Sequence, residues 1–220
     1  MSYKFITNHK TKNRDRGNNH PCEIIIHHWG VDGQDFDNVV RYLCSNNNEA
    51  SAHYVVQAGR VAKLANTNDT TWHAGNYFVN SHSLGIECRP EMTDGDLKTL
   101  IELISNIYRK YGVMPLRGHK DVVPTACPGR YYKKLDYIER EAKKLYNAKK
   151  KKKPAKKKTK YCYYCSYITN MALHFRTKAD LDKKYIICTI PKNTKLKGTI
   201  SKGWLHTNYK GKKGYVKVHK

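Results

Sequence analysis

The 220-residue sequence lacks any apolar run of the about 18 residues that a membrane-spanning helix needs. Its first ten residues also lack the apolar stretch of a secretory signal peptide, so we expect a protein without a membrane span that is made in the cytoplasm. Acidic residues are scarce, with 18 Asp and Glu against 42 Lys and Arg. No helix-turn-helix, zinc-finger or RNA-recognition pattern is present, so we expect no specific nucleic-acid partner.

The positive charge is concentrated in the last third of the chain. Of the net charge of +24, residues 1–147 carry only +4, residues 148–160 hold nine Lys and no acid, and residues 161–220 carry +11. The lysine run cannot bury apolar surface and its charges repel one another, which predicts a solvated linker between two domains. The charge indicates an anionic partner, with nucleic acid, a membrane surface and an anionic wall polymer as the alternatives.

Strand and helix patterns alternate in residues 1–147. Strands are predicted at residues 23–28, 52–57, 60–64 and 84–88. Helices are predicted at residues 34–46, 93–111 and 130–147. This interleaving predicts an α/β domain with a central sheet and helices on its faces. Residues 161–220 instead contain short runs broken by Gly, Asn and Lys, which is typical of a small all-β barrel.

A Gly- and Pro-rich loop contains two side chains that zinc accepts as ligands, His119 and Cys127. A catalytic zinc site uses three protein ligands, and a strand histidine such as His27 would complete the set. Alternation along a strand sends His27 and His28 to opposite faces, so only one of them can enter such a site. The alternative is that these are ordinary loop residues.

Five segments in one order carry a family resemblance. They are IIIHH at 24–28, SAHYVV at 51–56, TWHAG at 71–75, SLGIE at 83–87, and GHKD with TACPG between 118 and 129. Over about residues 20–135 the chain resembles the zinc-dependent N-acetylmuramoyl-L-alanine amidases, the type-2 amidase and peptidoglycan-recognition-protein superfamily. The resemblance implies a mixed sheet flanked by helices, and hydrolysis of the amide between N-acetylmuramic acid and L-alanine.

The resemblance also implies roles for individual residues. It makes His27, rather than His28, a ligand of one Zn²⁺ ion together with His119 and Cys127. It makes Glu87 the catalytic carboxylate, which takes a proton from water and passes it to the leaving nitrogen.

The chain departs from the family pattern at two positions. Thr125 stands where many relatives have lysine, and its hydroxyl or a backbone amide near it is predicted to stabilise the oxyanion. Ala52 stands where some phage relatives have tyrosine.

Four further residues are candidates for binding substrate. His53, Trp72 and His73 are predicted to line the groove, because imidazole donors and an aromatic face suit a glycan and a peptide. For Trp72 the alternative is core packing. Arg89 is a candidate for a bidentate contact with a stem-peptide carboxylate, with a solvated surface arginine as the alternative.

The C-terminal segment carries a second resemblance. The runs LHFRT at 173–177, IPKNTKL at 190–196 and GWLHTNYKGKKGYV at 203–216 resemble a bacterial SH3-like domain, which implies targeting to the cell wall. Cys162 and Cys165 form a lone CxxC, for which we expect neither a structural zinc nor redox activity. The seven cysteines give no assignable disulfide.

These observations predict a wall-lytic amidase whose partners are peptidoglycan and anionic wall polymers. A bacteriophage endolysin, released from the host cytoplasm by another protein or by lysis, is the leading interpretation, with a prophage enzyme or a bacterial autolysin next. The alternative class is a non-catalytic peptidoglycan receptor of the same fold.

Overall fold

A computed structural model describes residues 2–46, 49–150, 165–169, 171–201 and 203–218. The chain divides into two compact units, Met1–Lys158 and Thr159–Lys220. Most of the predicted linker lies outside the described residues, so the domain limits at residues 147 and 161 stay predictions. Within the described ranges, none of the helices combines the length and apolar character that a membrane crossing requires.

The first unit is built on a mixed sheet flanked by helices, which confirms the predicted fold class. Its strands are β1 (Lys4–Ile6), β2 (Arg14–Asp15), β3 (Glu23–His28), β4 (Tyr54–Gln57), β5 (Arg60–Lys63), β6 (Thr70–Thr71), β7 (Ser83–Cys88) and β8 (Leu116–Gly118). Its helices are α1 (Phe36–Cys44), α2 (Tyr77–Asn80), α3 (Asp94–Tyr111) and α4 (Leu135–Lys150). The sheet order is β1-β5-β4-β7-β3-β8, and β2 pairs separately with β6.

Strand β3 lies between two parallel neighbours, β7 and β8. Its residues Ile24, Ile25 and Ile26 are all fully buried. A parallel strand covered on both faces has no solvent side, which explains a continuous apolar run in place of alternation. The predicted hairpin is also confirmed, because β4 and β5 pair antiparallel around a turn in which Gly59 has a φ of +71°.

The helices pack through apolar stripes that the sequence pattern predicts. One face of α1 contacts residues of β4, β5 and the chain that follows them: Val55, Ala62 and Leu64. Helix α3 begins with the predicted capping box, in which the side chains of Thr93 and Asp96 each accept a hydrogen bond from the other's backbone N–H. Helices α3 and α4 pack against each other.

Helix boundaries differ from prediction by a few residues. Helix α1 is two residues shorter at each end than predicted. Asp35 caps its start by accepting a hydrogen bond from the backbone N–H of Asn38, and the extended backbone of Ser45 ends it. A 3-10 segment, Gly129–Lys134, occupies the predicted start of the last helix. That helix, α4, continues through Lys150 into the lysine run. Strands β1, β2, β6 and β8 were not predicted, since two or three residues are too few to show alternation.

The second unit consists of antiparallel strands, which confirms the all-β prediction. They are β9 (Cys165–Ile168), β10 (Leu173–Arg176), β11 (Ile186–Ile190), β12 (Lys195–Ser201), β13 (Trp204–Tyr209) and β14 (Lys212–Lys217). The sheet order is β11-β10-β14-β13-β12-β9. Its core contains the buried side chains of Phe175, Ile190, Leu196, Leu205 and Val216. The SH3-like assignment stays a prediction, and Cys162 of the CxxC pair lies outside the described residues.

Candidate metal centre and active site

His27 and Glu87 project from neighbouring strands at the same edge of the sheet. His27 is the next-to-last residue of β3, is 1% exposed, and is the register partner of Glu87 on the parallel strand β7. Residues paired in this way have their side chains on one face, and His28 therefore points to the other. In open α/β sheets this carboxyl edge is where ligands bind.

His119 and Cys127 belong to one loop that returns to β3. Gly118, the last residue of β8, pairs with Ile26, so His119 leaves the sheet beside His27. The loop closes on itself where the backbone N–H of Lys120 donates to the carbonyl of Cys127 at 2.9 Å. The backbone N–H of His28 donates to the Cys127 Sγ atom at 3.4 Å, which holds the thiol against the strand.

The three predicted metal ligands converge. One ligand atom from each of His27, His119 and Cys127 lies within 4.8 Å of the other two. The Nδ1 atom of His27 is 3.7 Å from Cys127 Sγ. Among the described residues, the buried Nε2 atom of His119 has no hydrogen-bond partner, as expected of a nitrogen kept for a metal. Two imidazoles and a thiolate, with a fourth position left for water, fit a catalytic zinc ion.

Burial keeps these ligands neutral without a metal. Desolvation, and then the nearby His119, holds the pKa of His27 well below its usual range, so its lone pair is free to bind a cation. Desolvation, followed by the charge of Glu87, raises the pKa of the Cys127 thiol to about 12. Binding of a metal must therefore displace the thiol proton.

Glu87 is the strand partner of His27 and also lines an open groove. Its side chain is half-buried, and its enclosed Oε2 atom has no hydrogen-bond partner among the described residues. Desolvation raises the pKa of this carboxyl group to about 8. The groove has a volume of about 830 Å³ and is lined by the end of β3, by α1 and by Glu87. A carboxyl group with a pKa near neutral pH can both take and return a proton.

Thr125 lies two residues before Cys127 in the same loop. Its Oγ1 atom accepts a hydrogen bond from the backbone N–H of Cys127 at 3.2 Å. This contact uses a lone pair, so the hydroxyl proton remains able to donate to another group. The structure thus brings Thr125 close to the ligand cluster.

His53 and His73 lie inside the protein, not on the wall of the groove. His53 is fully buried, and it contacts the hydroxyl of Thr71 at 2.9 Å and the backbone N–H of Gly85 at 3.1 Å. His73 is buried directly behind His27, with its Nδ1 atom 3.0 Å from His27 Nε2. Both rings have hydrogen-bond partners inside the protein. A substrate contact for either imidazole stays a prediction.

Trp72 and Arg89 are accessible in different degrees. Trp72 is 37% exposed, so the core-packing alternative accounts for only part of the side chain. Its backbone N–H donates to the hydroxyl of Ser51 at 2.7 Å. Arg89 forms an ion pair with Glu91 at 3.1 Å. A substrate carboxylate would therefore compete with Glu91 for this guanidinium.

The structure adds two features that the sequence interpretation missed. Ser83 shares one face of β7 with Gly85 and Glu87, and alternation along that strand was the available signal. Arg130 forms a bidentate ion pair with Asp32, at 2.7 and 3.0 Å, and links the loop after Cys127 to the segment after β3. No local pattern connects these last two residues, which are 98 positions apart.

An α/β domain in which two imidazoles and a thiol meet beside a half-buried carboxyl group defines a protein with a candidate catalytic metal centre. The chain belongs to the N-acetylmuramoyl-L-alanine amidase family, whose model matches residues 2–130. It is 28% identical over 156 residues to the N-acetylmuramoyl-L-alanine amidase CwlA of Bacillus subtilis (strain 168). This match covers 63% of the chain and only 57% of that relative.

Solved structures share the fold of the first unit. A mutant endolysin from Bacillus subtilis is 22% identical, with a TM-score of 0.57, over 64% of this chain and 99% of that one. The Staphylococcus aureus hydrolase AmiA, solved with its ligand, is 15% identical, with a TM-score of 0.57, over 69% of this chain and 87% of that one. The predicted family resemblance is thereby confirmed for the first domain.

Proposed function

We propose that the chain hydrolyses the amide bond between the lactyl group of N-acetylmuramic acid and L-alanine in peptidoglycan. The observation that carries this proposal is the convergence of His27, His119 and Cys127 beside Glu87 at one sheet edge. Membership of the amidase family and the name of the relative CwlA support the choice of bond.

Zinc is the metal that the donor set favours. His27, His119 and Cys127 would hold it, since imidazole nitrogen and thiolate sulfur are its preferred ligands in proteins. When bound, zinc lowers the pKa of a coordinated water to near 7 and polarises a carbonyl group.

Glu87 is the proposed general base and then the general acid. Its carboxyl group borders the groove, and its Oε2 atom has no partner among the described side chains and backbone that would compete for a proton. It takes a proton from the attacking water and returns it to the alanine nitrogen as the amide breaks. Thr125, through its free hydroxyl proton, donates a hydrogen bond to the developing oxyanion.

The groove beside Glu87 is the proposed substrate site. Its walls come from α1 and the end of β3, and Trp29 contributes an aromatic face. Trp72, with its partly exposed indole, and Arg89, which follows β7, are retained as proposed substrate contacts. His53 and His73 would then support this site from the interior.

The C-terminal unit is the proposed wall-targeting module. Residues 148–220 carry +20 of the net charge of +24, whereas the first 147 residues are nearly balanced. Bacterial walls contain anionic polymers, so this charge would hold the enzyme at its substrate by screened attraction. With the fold shared by an endolysin, this division of labour supports an endolysin-like role at the bacterial wall.

Mass spectrometry of digested peptidoglycan tests the proposed function. Purified protein with one equivalent of zinc is incubated with defined peptidoglycan, and the expected products are a free stem-peptide amino terminus and an intact lactyl carboxylate. Cleavage within the peptide or the glycan would contradict the proposed bond. Zinc binding without any cleavage would favour a non-catalytic receptor of the same fold.

A further inference from the structure

The second ring nitrogens of the two candidate ligand histidines face two adjacent residues. His27 faces His73, and His119 faces Ala74. The Nε2 atom of His27, remote from Cys127, lies 3.0 Å from His73 Nδ1. The imidazole of His119 makes a hydrogen bond to the backbone of Ala74. We call these two residues the His73–Ala74 bracket.

Asn80 fixes the bracket from behind. Its buried Oδ1 atom accepts the backbone N–H of His73 at 3.1 Å and the backbone N–H of Ala74 at 2.8 Å. The methyl group of Ala74 also packs in an apolar cluster with Ile25 of β3. Because one amide oxygen accepts both N–H groups, the bracket cannot shift relative to Asn80 without breaking two hydrogen bonds.

The hydrogen bonds around His73 have a single consistent direction. The hydroxyl of Ser83 donates its one proton to the carbonyl of Val79 at 2.6 Å, because a carbonyl can only accept. Ser83 Oγ, 3.1 Å from His73 Nε2, must then accept from that nitrogen. In a neutral His73 this leaves Nδ1 as an acceptor.

The same direction continues into the metal centre. Since His73 Nδ1 accepts, the Nε2 atom of His27 must carry the proton that it donates across their 3.0 Å contact. A neutral His27 then has a bare Nδ1 atom, and this atom lies 3.7 Å from Cys127 Sγ. The chain from Val79 through Ser83 and His73 thus selects the tautomer in which the lone pair of His27 faces the metal ligands.

Gly85 provides the space that this arrangement needs. A Cβ atom at Gly85 would lie 2.5 Å from the Cγ atom of His73, closer than two carbon atoms can approach. The ring of His73 therefore lies directly on the β7 backbone, between Ser83 and Glu87 on the same strand face. Any other residue at position 85 would displace the imidazole from His27.

We propose that His73 is a positioning residue which, with Ala74 and Asn80, sets the ring orientation and tautomer of both metal-ligating histidines. This proposal rests on the proposed zinc function of His27, His119 and Cys127. It places His73 behind the metal instead of in the substrate groove. Loss of such outer partners costs metal sites about 10- to 100-fold in affinity.

The first experiment reads the tautomer in the wild-type chain. Protein labelled with ¹⁵N at histidine is freed of metal by a chelator, and long-range ¹H–¹⁵N correlations assign the protonated nitrogen of His27. The expected result is a proton on Nε2 and none on Nδ1, in both the metal-free and the zinc-loaded protein. A proton on Nδ1 of His27 in the metal-free protein overturns the proposal.

The second experiment measures zinc affinity by competition with a chromophoric chelator. His73→Leu removes the acceptor and should weaken binding about 10- to 100-fold. His73→Asn places an amide oxygen where Nδ1 stood and should recover most of that loss. Ile104→Ala, in the buried face of α3, is the control for lost stability and should bind zinc as the wild type does.

The outcomes separate the two proposals. Wild-type affinity in a folded His73→Leu protein, or equal losses in His73→Leu and His73→Asn, would contradict the positioning role. A wild-type chain that binds no zinc would instead contradict the proposed function, while the tautomer of His27 would still decide the role of His73.

Discussion

His27 and Glu87 are register partners on the adjacent parallel strands β3 and β7. Neighbouring strands lie about 4.8 Å apart, so the register itself places the proposed metal ligand His27 beside the proposed base Glu87. A slip of one residue would bring Ile86 or Cys88 opposite His27 and send Glu87 to the other face. The relation between His27 and the proposed base is thus a property of the sheet.

Replacing Cys127 by serine should abolish both zinc binding and hydrolysis, because a neutral hydroxyl is a much poorer zinc ligand than a thiolate. The measurements are metal content by mass spectrometry and release of amino groups from peptidoglycan. Cys44→Ser, at the end of α1, is the matched control and should retain both properties. A Cys127→Ser protein that keeps one equivalent of zinc would refute the ligand assignment.

Glu87→Gln should retain zinc and lose about 100- to 10,000-fold in turnover, since the amide keeps the size of the side chain but cannot exchange a proton. Product release from a soluble muropeptide measures turnover, and metal analysis checks the site. Glu139→Gln, on the surface of α4 where the carboxylate pairs with Lys143, serves as the control. Full activity in Glu87→Gln would rule out this residue as the base.

The raised pKa of Glu87 also predicts a pH dependence of stability in the metal-free protein. Burial moves this pKa from 4.5 to about 8, so between these values the unfolded chain releases a proton that the folded chain retains. The free energy of unfolding contributed by Glu87 therefore falls as the pH rises through this window.

Glu87→Gln should remove that dependence. Urea unfolding with a chelator at about pH 5 and about pH 8.5 should show the variant gaining stability relative to the wild type at the higher pH. A constant difference between the two proteins at both pH values would show that Glu87 ionises normally.

The sequence predicts the parts of the site that are local. Strand β3 and the loop of His119 and Cys127 are recognisable from β-branched residues and from Gly and Pro. Alternation separates His27 from His28, but it does not say which of them meets the loop. The family resemblance was needed for that choice, because the choice depends on pairing β3 with β8, a strand of three residues.

The interior support of the site was not predictable in the same way. His73 has the residue type of a substrate contact, and only its packing on Gly85 turns the ring toward His27. Asn80 contributes through its side-chain Oδ1 atom, which accepts the backbone N–H groups of His73 and Ala74, and a residue pattern does not reveal backbone partners. The contact between His73 and His27 joins residues 46 positions apart.

Adhesion of the full chain to bacterial walls should be far more sensitive to salt than its turnover on a soluble muropeptide. Raising the ionic strength from about 0.1 M to about 1 M shortens the screening length from about 10 Å to about 3 Å. Co-sedimentation with purified walls measures adhesion, and a chain that ends at Lys150, after α4, is the comparison. Salt-independent adhesion, or equal adhesion of the shortened chain, would contradict targeting by charge.

Thr125→Val should lower turnover by about 100-fold or more if the hydroxyl donates to the oxyanion. Valine keeps the shape but also loses the acceptor for the Cys127 backbone N–H, so zinc content must be measured in the same sample. Thr125→Ser keeps the hydroxyl and should restore most of the activity. If Val and Ser behave alike with zinc retained, a backbone amide of this loop, and not Thr125, must stabilise the oxyanion.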